Sequence, residues 1–176
     1  MRVREATEHD AASCAAIYAP YVTGSVISFE VEPPSEAEMA ARITAAHDWL
    51  VLEDDDARVV GYAYAGLFAP RAAYRWATEV SVYLAGDFRR RGGGRMLYEA
   101  LLPRLAARGF RMAIAGMTLP NDASVGLHRA LGFQPVGTYR RIGYKNGAWH
   151  DVAWTQLELT PGDEPPAEPR ARTFGR

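Results

Sequence analysis

Apolar residues along this chain repeat with two different periods, and together these periods predict a mixed α/β protein. In the segment 76–84, apolar residues at every second position are typical of a strand. From Arg95 to Leu105 the period lengthens, because leucines recur every four residues and form one apolar face of a helix. Gly86 and Asp87 break the pattern between the two elements. The sequence therefore predicts a central strand, a turn and a helix.

The same patterns predict further elements on both sides of this unit. The predicted strands cover 3–6, 49–53, 58–67, 112–117, 134–142 and 152–159, and the predicted helices cover 10–18, 35–47 and 124–131. Ser35 and Glu38 form a capping-box pattern, and Asn146-Gly147 is a strong hairpin-turn signal. The segment 20–34 is predicted to be irregular.

Composition and charge narrow the function classes. The chain has 176 residues, enough for one domain with a sizeable core, and its net charge of −1 gives no global field for nucleic acid. The single cysteine, Cys14, excludes an internal disulfide and a cysteine-based zinc site, and we interpret it as a small buried residue rather than a reactive thiol. The adjacent acids at 54–56 are interpreted as a solvated hairpin tip rather than a metal site, because no histidine or further carboxylate is spaced to help them.

Hydrophobic runs in the sequence fall short of membrane-spanning length, and the charged N-terminal segment lacks the apolar stretch of a signal peptide. These patterns predict a cytoplasmic protein that binds neither a membrane nor a metal. Residues 1–160 are expected to form one domain. Residues 161–176, with four prolines and balanced charge, are predicted to be a disordered tail.

Three arginines and three glycines, Arg89 to Gly94, lie between the central strand and the helix that follows. The first turn of a helix carries unpaired N–H groups and the positive end of the helix dipole, and glycines allow a ligand to approach closely. Arginines add charge-assisted hydrogen bonds to phosphate oxygens. The loop therefore predicts a pyrophosphate site, with a solvated turn or a nucleic-acid patch as the alternatives. It is not a P-loop and lacks the G-x-G-x-x-G spacing of a dinucleotide site.

The motif RRRGGG fits the R/Q-x-x-G-x-G/A signature of the GNAT N-acetyltransferases, and the later segments LPNDASVGLHRALGF and GTYRRIGYKNGAWHDVAWTQ extend the match. In this order the three segments resemble the phosphinothricin N-acetyltransferase branch, and the resemblance covers residues 2–159. It implies the α/β GNAT fold, a mixed sheet flanked by helices and splayed between its fourth and fifth strands, where acetyl-CoA enters. It also implies a homodimer with contacts near the C-terminal hairpin.

The resemblance further implies which residues bind acetyl-CoA. Backbone N–H groups around Val82 to Leu84 would polarise the thioester carbonyl. Asn121 would bind the pantetheine arm, or would be only a turn residue before a helix, or both. The predicted cofactor-binding residues are Val82, Tyr83, Leu84, Arg89, Arg90, Arg91, Gly92, Gly93, Gly94, Arg95, Asn121 and Ser124.

Two residues are predicted to carry the chemistry. Glu79 lies on the central strand, where burial would raise the pKa of an isolated carboxylate and suit it to general-base work; an ion pair that holds the strand is the alternative. The resemblance implies that Glu79 is the base. His128 matches a histidine of the phosphinothricin branch and would act as base or acid, or be a structural helix residue. His150 and Asp151 are interpreted as structural, because adjacent strand residues point to opposite faces.

The predicted substrate-binding residues are Phe29, Arg71, Tyr74 and Tyr83. Phe29 would border the substrate pocket or be a core aromatic, and Arg71 would meet a substrate carboxylate or form a surface ion pair. The resemblance implies direct acetyl transfer to the α-amino group of a small amino acid such as phosphinothricin, methionine sulfone or methionine sulfoximine. The alternatives are a GNAT enzyme acting on a polyamine, an aminoglycoside or a protein N-terminus, and a non-catalytic CoA-binding module.

Overall fold

In the computed structural model, which describes residues 1–162 and 164–172, the chain forms a seven-stranded sheet flanked by four α-helices. The strands are β1 (Arg2–Glu5), β2 (Asp48–Glu53), β3 (Val59–Leu67), β4 (Ala77–Leu84), β5 (Met112–Thr118), β6 (Gln134–Lys145) and β7 (Ala148–Glu158). The helices are α1 (Ala11–Thr23), α2 (Glu36–Ala45), α3 (Gly93–Ala107) and α4 (Asp122–Ala130). Short 3-10 helices cover Glu8–Asp10, Ala72–Tyr74 and Gly86–Phe88.

The sheet opens at its centre. Its strand order is β1-β2-β3-β4-β5-β7-β6, and the parallel pair is β4 with β5, while the other neighbours are antiparallel. β4 and β5 pair from Ala77 opposite Met112 to Glu79 opposite Ile114, and then diverge. The predicted mixed sheet, splayed between its fourth and fifth strands, is therefore confirmed.

Strand alternation gives the sheet two different faces. On one face, α3 packs through Leu97, Leu101 and Leu105, each 0% exposed, which confirms the predicted apolar face of that helix. On the other face, α1 and α2 cover a second core that is rich in aromatic rings. Because neighbouring residues of a strand point to opposite sides, Val80 joins the first core and Glu79 lies on the second face.

Several element boundaries differ from the predicted ones. α1 continues through Pro20 to Thr23, although the sequence predicted an irregular segment from residue 20. Proline removes one backbone hydrogen bond from a helix, but the burial of Tyr21 and Val22, at 8% and 1% exposure, offsets that loss. β6 and β7 are also longer than predicted, because their pairing continues through positions that are exposed and so carry no burial pattern.

The predicted caps and turns are present. The Ser35 hydroxyl accepts from the Glu38 N–H, and the Glu38 carboxylate accepts from the Ser35 N–H at 2.7 Å, which completes the capping box. Asn146 and Gly147 both have positive φ at the β6–β7 turn, as a two-residue hairpin turn of this type requires. These turn predictions are confirmed because their signals lie in neighbouring residues.

Several features bear on alternative functions. Cys14 is 0% exposed, and burial raises the pKa of its thiol to about 12, so the interpretation of a small buried residue is confirmed. The acids at 54–56 lie at the turn between β2 and β3. Within the residues that the structure describes, no cluster of three or more potential metal ligands occurs. The helices of the described chain are too short or too polar for one of them to cross a membrane.

The C-terminal segment lies against the domain where the structure describes it. The indole Nε1 of Trp76 donates to the carbonyl oxygen of Ala167 at 2.9 Å. The guanidinium of Arg172 lies 3.9 Å from the carboxylate of Asp48, which is 0% exposed. An arginine of the tail thus reaches a buried carboxylate, and the disorder that the composition predicts stays a prediction. Residues 163 and 173–176 of that predicted tail lie outside the described residues.

Candidate active site

The opening between β4 and β5 forms a narrow cleft at the centre of the molecule. Its lining residues come from both strands, α3, α4 and the loop after α1: Ile27, Val80, Ser81, Val82, Tyr83, Tyr98, Gly116, Met117, Thr118, Asn121, Ser124 and His128. The cleft therefore brings together five of the predicted site residues, which are far apart in the sequence: Val82, Tyr83, Asn121, Ser124 and His128.

Glu79 marks the point where the sheet opens, because it is the last residue of β4 that pairs with β5. Its side chain is half-buried, and burial raises the pKa of its carboxyl above the ordinary value. Within residues 1–162 and 164–172 this carboxyl makes no hydrogen bond or ion pair, so the ion pair proposed as the alternative role of Glu79 is not found there. The geometry suits a group that takes up a proton.

The backbone N–H of Val82 faces the opening. The N–H of Ala85 donates to β3, and successive residues of a strand direct their N–H groups to opposite sides. The N–H of Tyr83 therefore also points to β3, whereas those of Val82 and Leu84 point away from it. The Leu84 N–H lies 3.3 Å from the Tyr21 hydroxyl. The Val82 N–H is thus the donor that β4 directs into the cleft.

The cationic loop leaves β4 and enters the first turn of α3. Gly92 is the N-cap residue and has a φ of 80°, a left-handed conformation that favours glycine. Gly93 and Gly94 are buried, and a Cβ on Gly94 would lie 3.1 Å from the side chain of Leu127. These two glycines allow α3 to begin close to the core, and their part in binding a ligand stays a prediction.

The arginines of the loop lie at the surface beside the unpaired N–H groups of the α3 first turn. Arg89 and Arg91 each hold their guanidinium 4.9 Å from the centre of an aromatic ring. Arg90 has a φ of 62°, and Arg95 lies 3.7 Å from Glu99 one turn along the helix. All four arginines are exposed. Positive side chains and helix N–H groups together match the needs of a pyrophosphate.

His128 is 3% exposed, and both of its ring nitrogens have polar partners. Its Nδ1 lies 2.8 Å from the carbonyl oxygen of Ser124, and a carbonyl can only accept, so Nδ1 carries the hydrogen. The Nε2 atom then accepts from the hydroxyl of Tyr98 at 3.3 Å. Burial lowers the pKa of the imidazole, so the ring is neutral at pH 7. The ring holds the Tyr98 hydroxyl in the cleft, and its role as acid or base stays a prediction.

Asn121 and Tyr98 complete the cleft in different ways. Asn121 is the N-cap of α4, and its side-chain oxygen accepts from the Ser124 N–H at 3.2 Å. The cap uses that oxygen and leaves the amide hydrogens of Asn121 for other partners. Sequence reasoning missed Tyr98, because it lies on the buried side of α3 and has the pattern of a core residue.

A cavity of about 320 Å³ lies next to the cleft, between α2 and the sheet. Tyr83 lines both spaces, and Gly66, which pairs with Glu79, also lines the cavity. Five aromatic residues line it: Tyr18, Trp49, Tyr62, Tyr64 and Tyr83. Sequence reasoning missed this cluster. Its signal was present in β3, where tyrosines two residues apart must point to the same face.

A second cavity, of about 610 Å³, lies on the part of the same sheet face that α1 and α2 leave uncovered; it is lined by Phe68, Tyr74, Ala77, Ile114, Val136, Gly137, Thr138, Tyr139, Trp154 and Gln156. Tyr74 lies here, whereas Tyr83 lies at the cleft and the aromatic cavity. Arg71 precedes the short helix that ends at Tyr74 and is exposed. In the described residues its guanidinium makes no hydrogen bond or ion pair, so the surface ion pair is not found there.

Phe29 lies in the loop after α1, residues 24–34, and is 41% exposed, so it is not a buried core residue. Its ring lies 6.3 Å from that of His150 in β7. Ile27 of the same loop lines the cleft. The loop therefore borders the candidate site through one residue and reaches the β6–β7 hairpin through another.

Comparisons with known proteins agree with this geometry. The family profile described as an acetyltransferase (GNAT) domain matches residues 3–154. The phosphinothricin N-acetyltransferase of Streptomyces viridochromogenes is 40% identical over 97% of this chain and 92% of its own length. The L-methionine sulfoximine/L-methionine sulfone acetyltransferase of Pseudomonas aeruginosa is 34% identical over 90% of this chain and 95% of its own length. A crystal structure of a GNAT superfamily phosphinothricin acetyltransferase from Sinorhizobium meliloti in complex with AcCoA has a TM-score of 0.90 at 38% identity, covering 96% of this chain and 92% of that one.

Proposed function

This chain belongs to the GNAT acetyltransferase family and is an acetyl-CoA-dependent N-acetyltransferase, and we propose that it acetylates the α-amino group of a small amino acid. The observation that carries the proposal is the carboxyl of Glu79, which has a raised pKa and stands where the sheet opens. Relatives named for phosphinothricin, methionine sulfoximine and methionine sulfone support an amino acid of that size and charge.

Three features of the chain fit acetyl-CoA. The splay offers a path between β4 and β5, the exposed arginines and the N-terminus of α3 suit the pyrophosphate, and the Val82 N–H points into the path. When bound, the cofactor supplies an acetyl thioester. The Val82 N–H would donate to the carbonyl oxygen as it becomes negative, which is the usual way in which a backbone amide accelerates acyl transfer.

Glu79 would take the proton from the substrate amine, directly or through water. A peptide α-amino group has a pKa of about 7.7–8.0, and the value is higher in a free amino acid because its own carboxylate is adjacent. Most substrate therefore arrives as an ammonium, which has no lone pair. A thiol leaving group has a pKa of about 8.5, so the need for an acid is weaker than the need for a base. Loss of the base Glu79 should therefore slow the reaction more than loss of His128 as an acid.

Release of free thiol from acetyl-CoA, measured over a panel of amines, tests this function. The panel contains phosphinothricin, methionine sulfone, methionine sulfoximine, a polyamine, an aminoglycoside and a peptide with a free N-terminus. We expect turnover with the three amino acids. At a free concentration about 100 times its dissociation constant, acetyl-CoA should also stabilise the fold by about 2.7 kcal/mol. Stabilisation without turnover on any amine would favour a non-catalytic CoA-binding module, and turnover on the polyamine alone would overturn the proposed substrate class.

We propose that Arg71 recognises the substrate carboxylate, because its guanidinium is exposed and lies on the loop that leads into β4. A charge-assisted pair is worth about 1.5–3 kcal/mol, so Arg71→Ala should raise KM for amino acids about 10- to 100-fold. The matched control is the corresponding amine without a carboxylate, for which KM should change little. Equal effects on the two substrates would exclude carboxylate recognition by Arg71.

We propose that the protein is a homodimer that associates through the β6–β7 hairpin. Five large apolar side chains of this hairpin are more than half exposed: Val136, Tyr139, Ile142, Tyr144 and Trp149. Several exposed apolar side chains on one hairpin are typical of an interface. Light scattering at micromolar concentration should give twice the monomer mass, and Ile142→Glu should reduce it to the monomer. Val31→Glu, at an 88% exposed apolar position outside the hairpin, is the control that should stay dimeric.

A further inference from the structure

Lys145 is the single lysine in a chain that has 20 lysine and arginine residues in total. Its ammonium donates to three backbone carbonyl oxygens, those of Val22 at 2.6 Å, Ser28 at 2.7 Å and Glu30 at 2.9 Å. An ammonium has three N–H donors and no acceptor, so these contacts satisfy it completely. The side chain starts at the end of β6 and reaches across to the end of α1 and the loop that follows.

From this geometry we propose that Lys145 is a positioning residue that holds the loop 24–34 in the conformation that binds the acceptor amine. The inference rests on the proposed function, because it concerns the acceptor side of the same site. Two of the three carbonyls that Lys145 binds, those of Ser28 and Glu30, flank Phe29 in the sequence. The hairpin thereby fixes the middle of the loop.

The loop borders both spaces in which a substrate could bind. Ile27 lines the cleft between β4 and β5. The Ser28 hydroxyl lies 2.7 Å from the hydroxyl of Tyr18, and the Tyr18 ring packs edge-on against Tyr83 with 4.8 Å between the ring centres. Tyr18 and Tyr83 both line the aromatic cavity beside Glu79. A shift of the loop would therefore move walls of both spaces.

A second contact joins the same two elements. The ring of Phe29 occupies the space that a side chain would need at Gly143 in β6, so a Cβ there would collide with it. The His150 ring, 6.3 Å away, flanks Phe29, and its Nε2 donates to the carbonyl oxygen of Lys145 at 2.9 Å. α1 and α2 also hold the loop, through the contact of Ser28 with Tyr18 and the exposed ion pair of Glu30 with Arg42. The hairpin thus adds the three carbonyl bonds of Lys145 and the contact at Gly143 to this support.

The chemistry of the contact explains a lysine in a chain that otherwise uses arginine. Three carbonyls that converge on one point suit a compact ammonium with three rotatable donors, whereas a guanidinium is planar and spreads its donors in a rigid fork. Lys145→Arg keeps the charge but cannot reproduce the three bonds. Lys145→Met keeps the length of the side chain and removes both charge and donors.

Kinetics of these variants test the proposal. Lys145→Met should raise KM for the acceptor amine about 10- to 100-fold, because only a fraction of the molecules then hold the loop in the competent conformation. KM for acetyl-CoA and kcat should change less than about threefold, a small effect on this scale. Lys145→Arg should fall between the wild type and Lys145→Met. Arg140→Met is the matched control, because it also removes a positive side chain from β6. The Arg140 side chain binds within the hairpin, donating to the Asp151 carboxylate at 2.7 Å, and not to the loop.

Hydrogen exchange supplies a readout that does not need turnover. The amides of residues 24–34 should exchange at least about tenfold faster in Lys145→Met than in the wild type. In Arg140→Met their exchange rate should match that of the wild type. Gly143→Ala displaces the Phe29 ring, so it should also raise KM for the amine and speed the exchange of the loop. It replaces Lys145→Met in the test if that variant does not fold. The proposal would be overturned if the exchange rates of the loop did not change, or if KM rose equally for the acceptor amine and for acetyl-CoA. If the wild type itself acetylated no amine, the proposed function would fail while the exchange measurement still decided the role of Lys145.

Discussion

Replacing Glu79 with glutamine should lower kcat about 10²- to 10⁴-fold at neutral pH, the usual range for general-base assistance, while acetyl-CoA binding persists. The substitution keeps the shape of the side chain and removes its ability to take a proton. Activity of the variant should recover in part at high pH, where free amine is abundant. In the wild type, kcat should fall as the pH drops through the pKa of Glu79, which burial holds above its ordinary value.

The stability of the same variant distinguishes the catalytic role from a structural one. A carboxyl whose pKa is raised in the folded state stabilises the fold while it is protonated, and this contribution is lost as the pH rises through the folded pKa. Above the folded pKa the ionised Glu79 therefore costs stability, and there Glu79→Gln should raise the melting temperature. If Glu79 instead formed an ion pair that held the strand, Glu79→Gln should lower the melting temperature.

Glu36→Gln is the control for Glu79→Gln, because Glu36 lies exposed in the first turn of α2, away from the cleft. It should leave kcat unchanged. If Glu79→Gln kept near wild-type kcat at neutral pH, His128 would become the leading candidate for the base. The neutral ring of His128 contacts Tyr98 through Nε2, so His128 would act only after that contact opens.

Features that depend on neighbouring residues could be predicted from the sequence. The capping box at Ser35, the turn at Asn146-Gly147 and the strand, loop and helix around Glu79 each carry their signal within a few residues. The end of α1 could not be predicted, because the burial of Tyr21 against the sheet depends on residues far along the chain. Tertiary burial there outweighs the local preference of Pro20 to end a helix.

The same distinction applies to the site. The motif around the three glycines indicated the loop, but the partner of His128 lies in another helix, 30 residues earlier, and Lys145 reaches carbonyls more than a hundred residues away. Side chains that meet in this way leave no mark in the periodicity of either segment. Composition counts prolines and charges and does not show the buried carboxylate that Arg172 approaches, so the disorder that it predicts for the tail stays a prediction.

Replacing that carboxylate should give the largest loss of stability. Asp48 is 0% exposed and accepts from the Nε of Arg104 at 2.9 Å, with Arg108 at 3.8 Å and Arg172 at 3.9 Å. Removing one partner from a buried charge cluster typically costs about 3–5 kcal/mol, because the remaining charges are left uncompensated. Asp48→Asn keeps the shape and removes the charge, so the melting temperature should fall by about 6–20 °C for a chain of this size.

A double-mutant cycle then tests whether the C-terminal segment is docked in solution. Arg172→Leu alone should destabilise the fold, and combined with Asp48→Asn its effect should shrink by about 0.5–3 kcal/mol, the usual coupling between residues in one ion-pair network. Asp56→Asn, at the exposed β2–β3 turn, is the control and should change the melting temperature little. Additive effects of Asp48→Asn and Arg172→Leu would mean that the tail is disordered in solution, as its composition predicts. Coupling in that range would make residues 164–172 part of the folded domain, held by an ion pair between the C-terminal segment and β2.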